Sequence, residues 1–266
     1  MPDTKKLRSR IRSVNSTLHL THAMELVASS KIRRATLRME GSGDYAASAQ
    51  RAMDVLAACR SCQDNAYFAR RERGRTKLVV IAGDRGLAGG YNANIFRLMR
   101  EYPDAETIPI GKRACDRYGG RFYSAEAFTS GDAAAMAQWL CEEFRRGEYD
   151  RLGIVYTQYR SMMEQTAGVR WVLPLTVPEN AKPAEIIFEP GENAILNAAV
   201  PEYVAGMLVA SVRESFASEV AARRAAMDAA GKNAREMIDD LMLQYNRARQ
   251  GAITQEITEI VAGSGQ

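Results

Sequence analysis

The chain has 266 residues, 46% of them apolar and 26% charged, with a net charge of +4. Those proportions exclude wholesale disorder and fibrous repeats, and the length suits one or two domains with cores of their own. No uninterrupted apolar run approaches the roughly 18 residues of a membrane span, and the opening residues carry no signal-peptide block. A reducing, cytoplasm-like setting is therefore expected. Four cysteines are too few for a disulfide framework. Cys59 and Cys62 form a C-x-x-C, but with helical spacing around it and no second pair, they read as ordinary helix-face thiols.

The first predicted element is a long helix. No glycine occurs before Gly41, and Leu7, Ile11, Val14, Leu18, Thr21, Glu25, Ala28, Ile32 and Ala35 step alternately by four and three. Such a stripe is the seam that one helix presents to another in a left-handed coiled coil. Glu25 interrupts it, while Met24 and Val27 add apolar surface beside it. The same segment carries the charge imbalance: residues 1–40 hold nine Lys and Arg against three Asp and Glu, a net +6. A basic arm suits nucleic acid, anionic lipid or an acidic protein surface, and equally a solvated helix face.

The middle of the chain changes period. Lys77–Gly83 and Leu152–Tyr159 read as buried strands, with Glu106–Gly111 as a shorter third. Helices are expected at 93–102 and 132–146. Val169–Leu175 reads as a further strand, an edge one because Pro174 cannot donate to a ladder. This is α/β architecture, a largely parallel sheet with helices on its faces. Residues 174–201, rich in proline and carrying Glu179, Glu185, Glu189 and Glu192, read as an irregular connection.

From Glu202 to Ala262 there is no proline, and Met227, Ala230, Ala234, Met237, Leu241, Gln244 and Ala248 repeat the seam spacing before Ile253, Ile257 and Ile260. Unbroken, those 61 residues span about 90 Å, more than one small core needs. The two terminal helices are expected to pair antiparallel, with the C-terminal end running past its shorter partner.

Candidate chemistry is sparse. Gly83–Asn92, GDRGLAGGYN, is a glycine-rich loop between a strand and a helix, a setting able to cradle phosphate. It matches neither G-x-G-x-x-G nor G-K-[ST], so tight strand-to-helix packing is the competing explanation. His19 and His22 lie three apart on the first helix without further metal-ligand types nearby. No nucleophile elbow, metalloprotease or EF-hand motif occurs, and neither a catalytic residue, a metal nor a cofactor is expected.

Three segments carry a family resemblance. Leu7–Ala35 resembles the opening helix of the gamma subunit of F-type ATP synthases, DRGLAGGYNANI is similar to that family's hallmark, and Ser218–Ser264 resembles its C-terminal signature. The resemblance implies a long antiparallel coiled coil of terminal helices with an inserted Rossmann-like α/β domain, divided as 1–68, 69–200 and 201–266. It implies a central rotor shaft, not itself an enzyme, that couples ion-driven rotation to conformational change in the beta subunits. The implied partners are three alpha and three beta subunits, epsilon and the ring of c subunits, with no nucleic acid. Attachment to the cytoplasmic face of a bacterial plasma membrane is implied through the complex, without a transmembrane segment.

Residue by residue, the resemblance places Arg249, Gln250, Thr254 and Glu256 at beta-subunit contacts. Met24, Lys31, Arg33 and Arg34 fall in the adjoining zone expected to face acidic beta surface. Asp84, Arg85, Gly86, Gly89, Gly90 and Asn92 form the hallmark loop. The chain departs from the family at His19, His22, Ala88, Arg224 and Ser264, and is shorter in its middle domain. It has no cysteine-bearing insertion of the chloroplast kind, so thiol control of rotation is not expected. The alternative reading is a nucleotide- or phosphate-binding α/β protein with a coiled-coil arm.

Overall fold

A computed structural model of the chain describes residues 2–69, 71, 74–178 and 187–263. Its elements are α1 (Pro2–Ala58), β1 (Thr76–Ile81), α2 (Tyr91–Leu98), β2 (Glu106–Ile110), α3 (Lys112–Tyr118), α4 (Ser130–Arg146), β3 (Arg151–Tyr159), β4 (Gln165–Leu173) and α5 (Glu192–Gly263). The chain divides into two compact units, one of residues 1–29 with 223–266 and one of residues 30–222.

The first unit consists of the ends of the two long helices. Leu7, Ile11, Val14, Leu18, Thr21, Glu25 and Ala28 are all buried or half-buried, whereas Arg8, Arg10, Arg12, His19 and His22 are exposed. The seven-residue period thus marks the covered face of α1. Across from it, a Cβ on Gly231 would lie 3.7 Å from Thr21 Oγ1 and 3.9 Å from Leu18. Lys232 is held above its ordinary pKa by Asp228 at 2.8 Å, with Glu25 adding to the pull, so the charge that interrupts the stripe is answered from α5.

On α5 the covered stripe is displaced from the expected one. Met237 is 45% exposed and Gln244 is exposed, while Ile238 and Tyr245 are half-buried among buried Met227, Gly231, Ala234 and Leu241. Both stripes step by three and four and share alternate rungs. A heptad read along one helix sets the period but leaves a one-residue choice between those rungs, which the partner face makes.

The second unit holds the sheet, in the order β2-β1-β3-β4. β1 is parallel to β2 and β3, and β4 closes the edge antiparallel to β3. Leu78, Val79, Val80 and Ile81 are fully buried because helices cover both faces. Leu78 and Val80 pack with Ile95 and Met99, from α2 and the turn after it, while Val79 and Ile81 belong to the core formed with α4 and α5. α4 starts on a capping box, Thr129 and Asp132 bonding each other's backbone N–H at 3.1 and 3.0 Å, and stops at left-handed Gly147. In this unit α1 and α5 pair antiparallel: Tyr45 lies over Gly206, and Tyr203 donates to Gln50 at 2.7 Å.

Further sequence expectations need correction. β4 begins at Gln165 rather than Val169, because the polar residues before Val169 pair with Thr157–Tyr159 in a hairpin. The seven-residue α3 was not expected; it is too short and too charged to show an apolar period. Finally, α5 starts at Glu192 and runs through Pro201, so 192–201 is helix rather than connection. An interior proline costs about 3 kcal/mol, but Leu196, Val200, Tyr203 and Val204 are buried around it. At about 1.5–3 kcal/mol each for a large side chain, their burial outweighs that cost. The acids Glu179 and Glu185 lie outside the described residues.

Buried Cys62 and Cys59 sit just past the end of α1 in the core rather than on a helix face, and burial first, then Cys59, pushes the Cys62 thiol up to about 11. One window of α5 has a mean hydropathy of 1.5, yet 61% of it is buried within the protein, as in the core helix of a soluble protein.

The displaced stripe yields a direct test. Ile238→Ala should cost about 1–2 kcal/mol, a partly buried version of a core truncation, and Met237→Ala less than about 0.5 kcal/mol. Urea unfolding followed by circular dichroism measures both, and the reverse ranking would reinstate the Met237 stripe.

Candidate functional site

The β1–α2 loop lies where the sheet order reverses, β2 on one side of β1 and β3 on the other. In open α/β sheets this crevice beyond the strand ends is the usual ligand site. Here the protein's own side chains fill it. Gly83 N–H donates to Asn92 Oδ1 at 2.9 Å, so a residue in the first turn of α2 also closes the loop. Gly83 C=O accepts from Arg113 N–H at 3.0 Å. A Cβ on Gly83 would lie 2.8 Å from Cδ of Glu219, which is 3% exposed. The glycine thus leaves room for the close approach of a carboxylate from α5, which a Cβ would push aside.

Asp84 gathers the far side of the loop. Its carboxylate accepts from Ser124 Oγ at 2.6 Å and from the backbone N–H groups of Lys112, Ala125 and Glu126 at 3.1, 3.2 and 3.1 Å. Burial alone would push this carboxyl up, but the four donors outweigh it and hold the pKa below its ordinary value. Arg85 points to Glu126 at 3.8 Å and accepts a long 3.4 Å hydrogen bond from Asn92 through its carbonyl. Leu87 and Gly89 have φ of 59° and 56°, so the loop needs left-handed backbone at two points. Gly90 caps α2, its carbonyl accepting from Asn94 N–H at 2.9 Å, and Gly86 lies under Arg113.

A phosphate in this crevice would meet the Glu219 carboxylate and find the Gly83 N–H already used. The arrangement favours tight packing over the phosphate-cradle reading.

The other expected site residues fall into separate groups. Lys31 belongs to the same neighbourhood, its ammonium 2.6 Å from Glu126, while Arg33 and Arg34 are exposed. In the first unit Met24 is half-buried beside the seam. Arg249, Gln250, Thr254 and Glu256 are all exposed on α5, where Thr254 Oγ1 donates to the Gln250 carbonyl at 3.0 Å. Helical spacing puts Arg249, Ile253, Glu256 and Ile260 on one face. Glu126, Ser124 and Glu219 had no sequence signal, because their partners lie tens of residues away.

Asp84→Asn should lower stability at neutral pH by about 1.5–3 kcal/mol, the range for hydrogen bonds to charged groups. Because the folded pKa is depressed, the wild-type advantage is complete above the ordinary value of 3.8 and is lost as pH falls through the folded one. Urea titrations of both proteins across that range check the sign.

Over residues 3–265 the chain matches the family described as ATP synthase. It is 38% identical over 283 residues to the ATP synthase gamma chain of Ruminococcus albus, covering 99% of this chain and 98% of that one. To the sodium ion specific ATP synthase gamma chain of Acetobacterium woodii it is 36% identical over 295 residues, covering 98% of each. In fold it is similar to a chain in the cryo-EM structure of the Euglena gracilis mitochondrial ATP synthase rotor, with a TM-score of 0.66 at 17% identity, covering 95% of this chain and 99% of that one. Since the two gamma chains match it almost end to end, the chain belongs to the ATP synthase gamma chain family, the non-catalytic rotor subunits that couple rotation to the catalytic sites.

Proposed function

We propose that the chain is the central-stalk shaft of a bacterial F-type ATP synthase, turning within a ring of three alpha and three beta subunits and joined at its base to epsilon and the c-ring. Its place is then peripheral, on the cytoplasmic side of the plasma membrane. In functional terms, residues 1–68 and 201–266 supply the shaft and 69–200 the domain that receives the torque. Shaft angle biases each beta subunit among its conformations through unequal contacts.

One observation carries this reading. Every residue from Ile253 to Gly263 is exposed, with Ile253, Ile257 and Ile260 at 46, 57 and 69%. Repeated isoleucines on a bare helix end call for an apolar surround supplied by other chains. Arg249, Gln250, Thr254 and Glu256 lie along the same stretch and supply polar contacts to a beta subunit. Met24, Arg33 and Arg34 supply contacts lower on the shaft, with Lys31 beside them. The flexible, exposed side chains of Met237 and Met242 give a surface that slides past three similar partners without one strong directional trap.

Affinity purification from mildly solubilised membranes tests the assembly: alpha and beta should each be recovered in about threefold molar excess over this chain, with ATPase activity. Recovery of the chain without them overturns the reading. In the assembled complex, Arg249→Ala with Gln250→Ala should slow coupled ATP turnover roughly tenfold, the effect of about 1.4 kcal/mol, without changing subunit composition. Wild-type turnover in that double variant would remove the pair from the beta contact.

A further inference from the structure

Apolar burial holds two surfaces together but is non-directional, so it opposes separation more than sliding. Hydrogen bonds and ion pairs have preferred geometry and set register. In the second unit, the apolar faces of α1 and α5 are therefore expected to give adhesion, and the polar links around the β1–α2 loop to give angular position.

One such link and one close packing contact converge on that loop from different helices. From α1, Lys31 Nζ donates to Glu126 Oε1 at 2.6 Å. Glu126 is itself fixed to the loop through its backbone N–H, which donates to Asp84 Oδ2 at 3.1 Å. From α5, the carboxylate of Glu219 lies on Gly83, so close that a Cβ there would sit 2.8 Å from Cδ and 2.9 Å from Oε1. Gly83 and Asp84 are consecutive, and the strand they follow, β1, is the interior strand whose two neighbours both run parallel to it. Lys31 and Glu219 also lie close to the limits of the unit, at Ser30 on α1 and Ala222 on α5.

We propose that Glu126 and Glu219 are positioning residues that key both long helices to one corner of the sheet, so that rotation of the α/β domain reaches the helices without slip. The proposal rests on the rotor reading. It gives Lys31 a second role: its ammonium serves the chain's own Glu126 as well as any acidic surface of a beta subunit. It also gives the hallmark loop a use that needs no ligand, since the glycine at position 83 and the carboxylate at position 84 are the two halves of the key.

The test uses the assembled complex in sealed vesicles, measuring ions pumped per ATP hydrolysed alongside subunit composition. Glu126→Lys places like charges together, and Gly83→Ala displaces the Glu219 carboxylate. Each should assemble normally yet pump fewer ions per ATP, Glu126→Lys by about two- to fivefold, the span an exposed ion pair can carry. Adding Lys31→Glu to Glu126→Lys rebuilds the pair with its charges exchanged and should restore pumping.

A role for Lys31 solely toward the beta subunits gives the opposite ranking, with Glu126→Lys harmless and the exchanged pair defective. That ranking overturns the proposal, as does wild-type coupling in both Glu126→Lys and Gly83→Ala. Should the wild-type chain fail to assemble with alpha and beta at all, the rotor reading falls first, and that outcome is read from subunit composition alone.

Discussion

The carboxylate of Asp84 joins three stretches of chain that are distant in sequence: the loop after β1, the start of α3 at Lys112, and the Ser124–Glu126 segment before α4. Four donors on one carboxylate explain why it stays ionised despite partial burial. They also explain why the neighbouring backbone is so constrained. Gly111, at φ 92°, passes so near the Ala82 carbonyl that a Cβ would collide with its oxygen. With Gly83 under Glu219 on the other side, the corner at the end of β1 is closed by backbone and carboxylates together. The crevice that many α/β proteins keep for a nucleotide is here a structural joint, as suits a non-catalytic subunit.

The long helices meet different demands along their length. Where α5 packs on the sheet, large apolar side chains such as Leu196, Val204 and Leu208 are fully buried. In the first unit the buried positions are smaller or more mixed: Thr21, Ala28, Gly231, Ala234. Small residues permit close approach of two backbones while burying less area, so this stretch is held by less apolar surface per turn. From Ile253 onward the helix is bare. The gradient from core helix to paired helix to exposed helix is written in one continuous element, and it matches a subunit that must be fixed at one end and surrounded by other chains at the other.

Much of this was legible in the residues because burial leaves a period. The seven-residue stripe of α1 survives intact, since every rung from Leu7 to Ala35 is buried or half-buried. Strands β1, β2 and β3 were legible as short apolar runs because a parallel sheet is covered on both faces. The displaced stripe on α5 was not, because the choice between Met237 and Ile238 belongs to the partner helix. Pro201 misled because its local penalty is plain in the sequence, whereas the buried neighbours that offset it become visible only in the fold. The hallmark loop was legible as a resemblance, but its purpose was hidden, since Glu126 and Glu219 reach it from far along the chain with no local pattern to mark them.

The apolar window of α5 has a further consequence for synthesis. Its mean hydropathy of 1.5 would let it pass for a membrane span, yet it lies after β4 ends at Leu173. Chains emerge from the ribosome N-terminus first, so all four strands and the earlier half of the helix pair have been made before this window appears. A stretch sticky enough to insert into lipid or aggregate thus meets a waiting protein surface, and the order of elements along the gene protects the helix that the finished machine turns on.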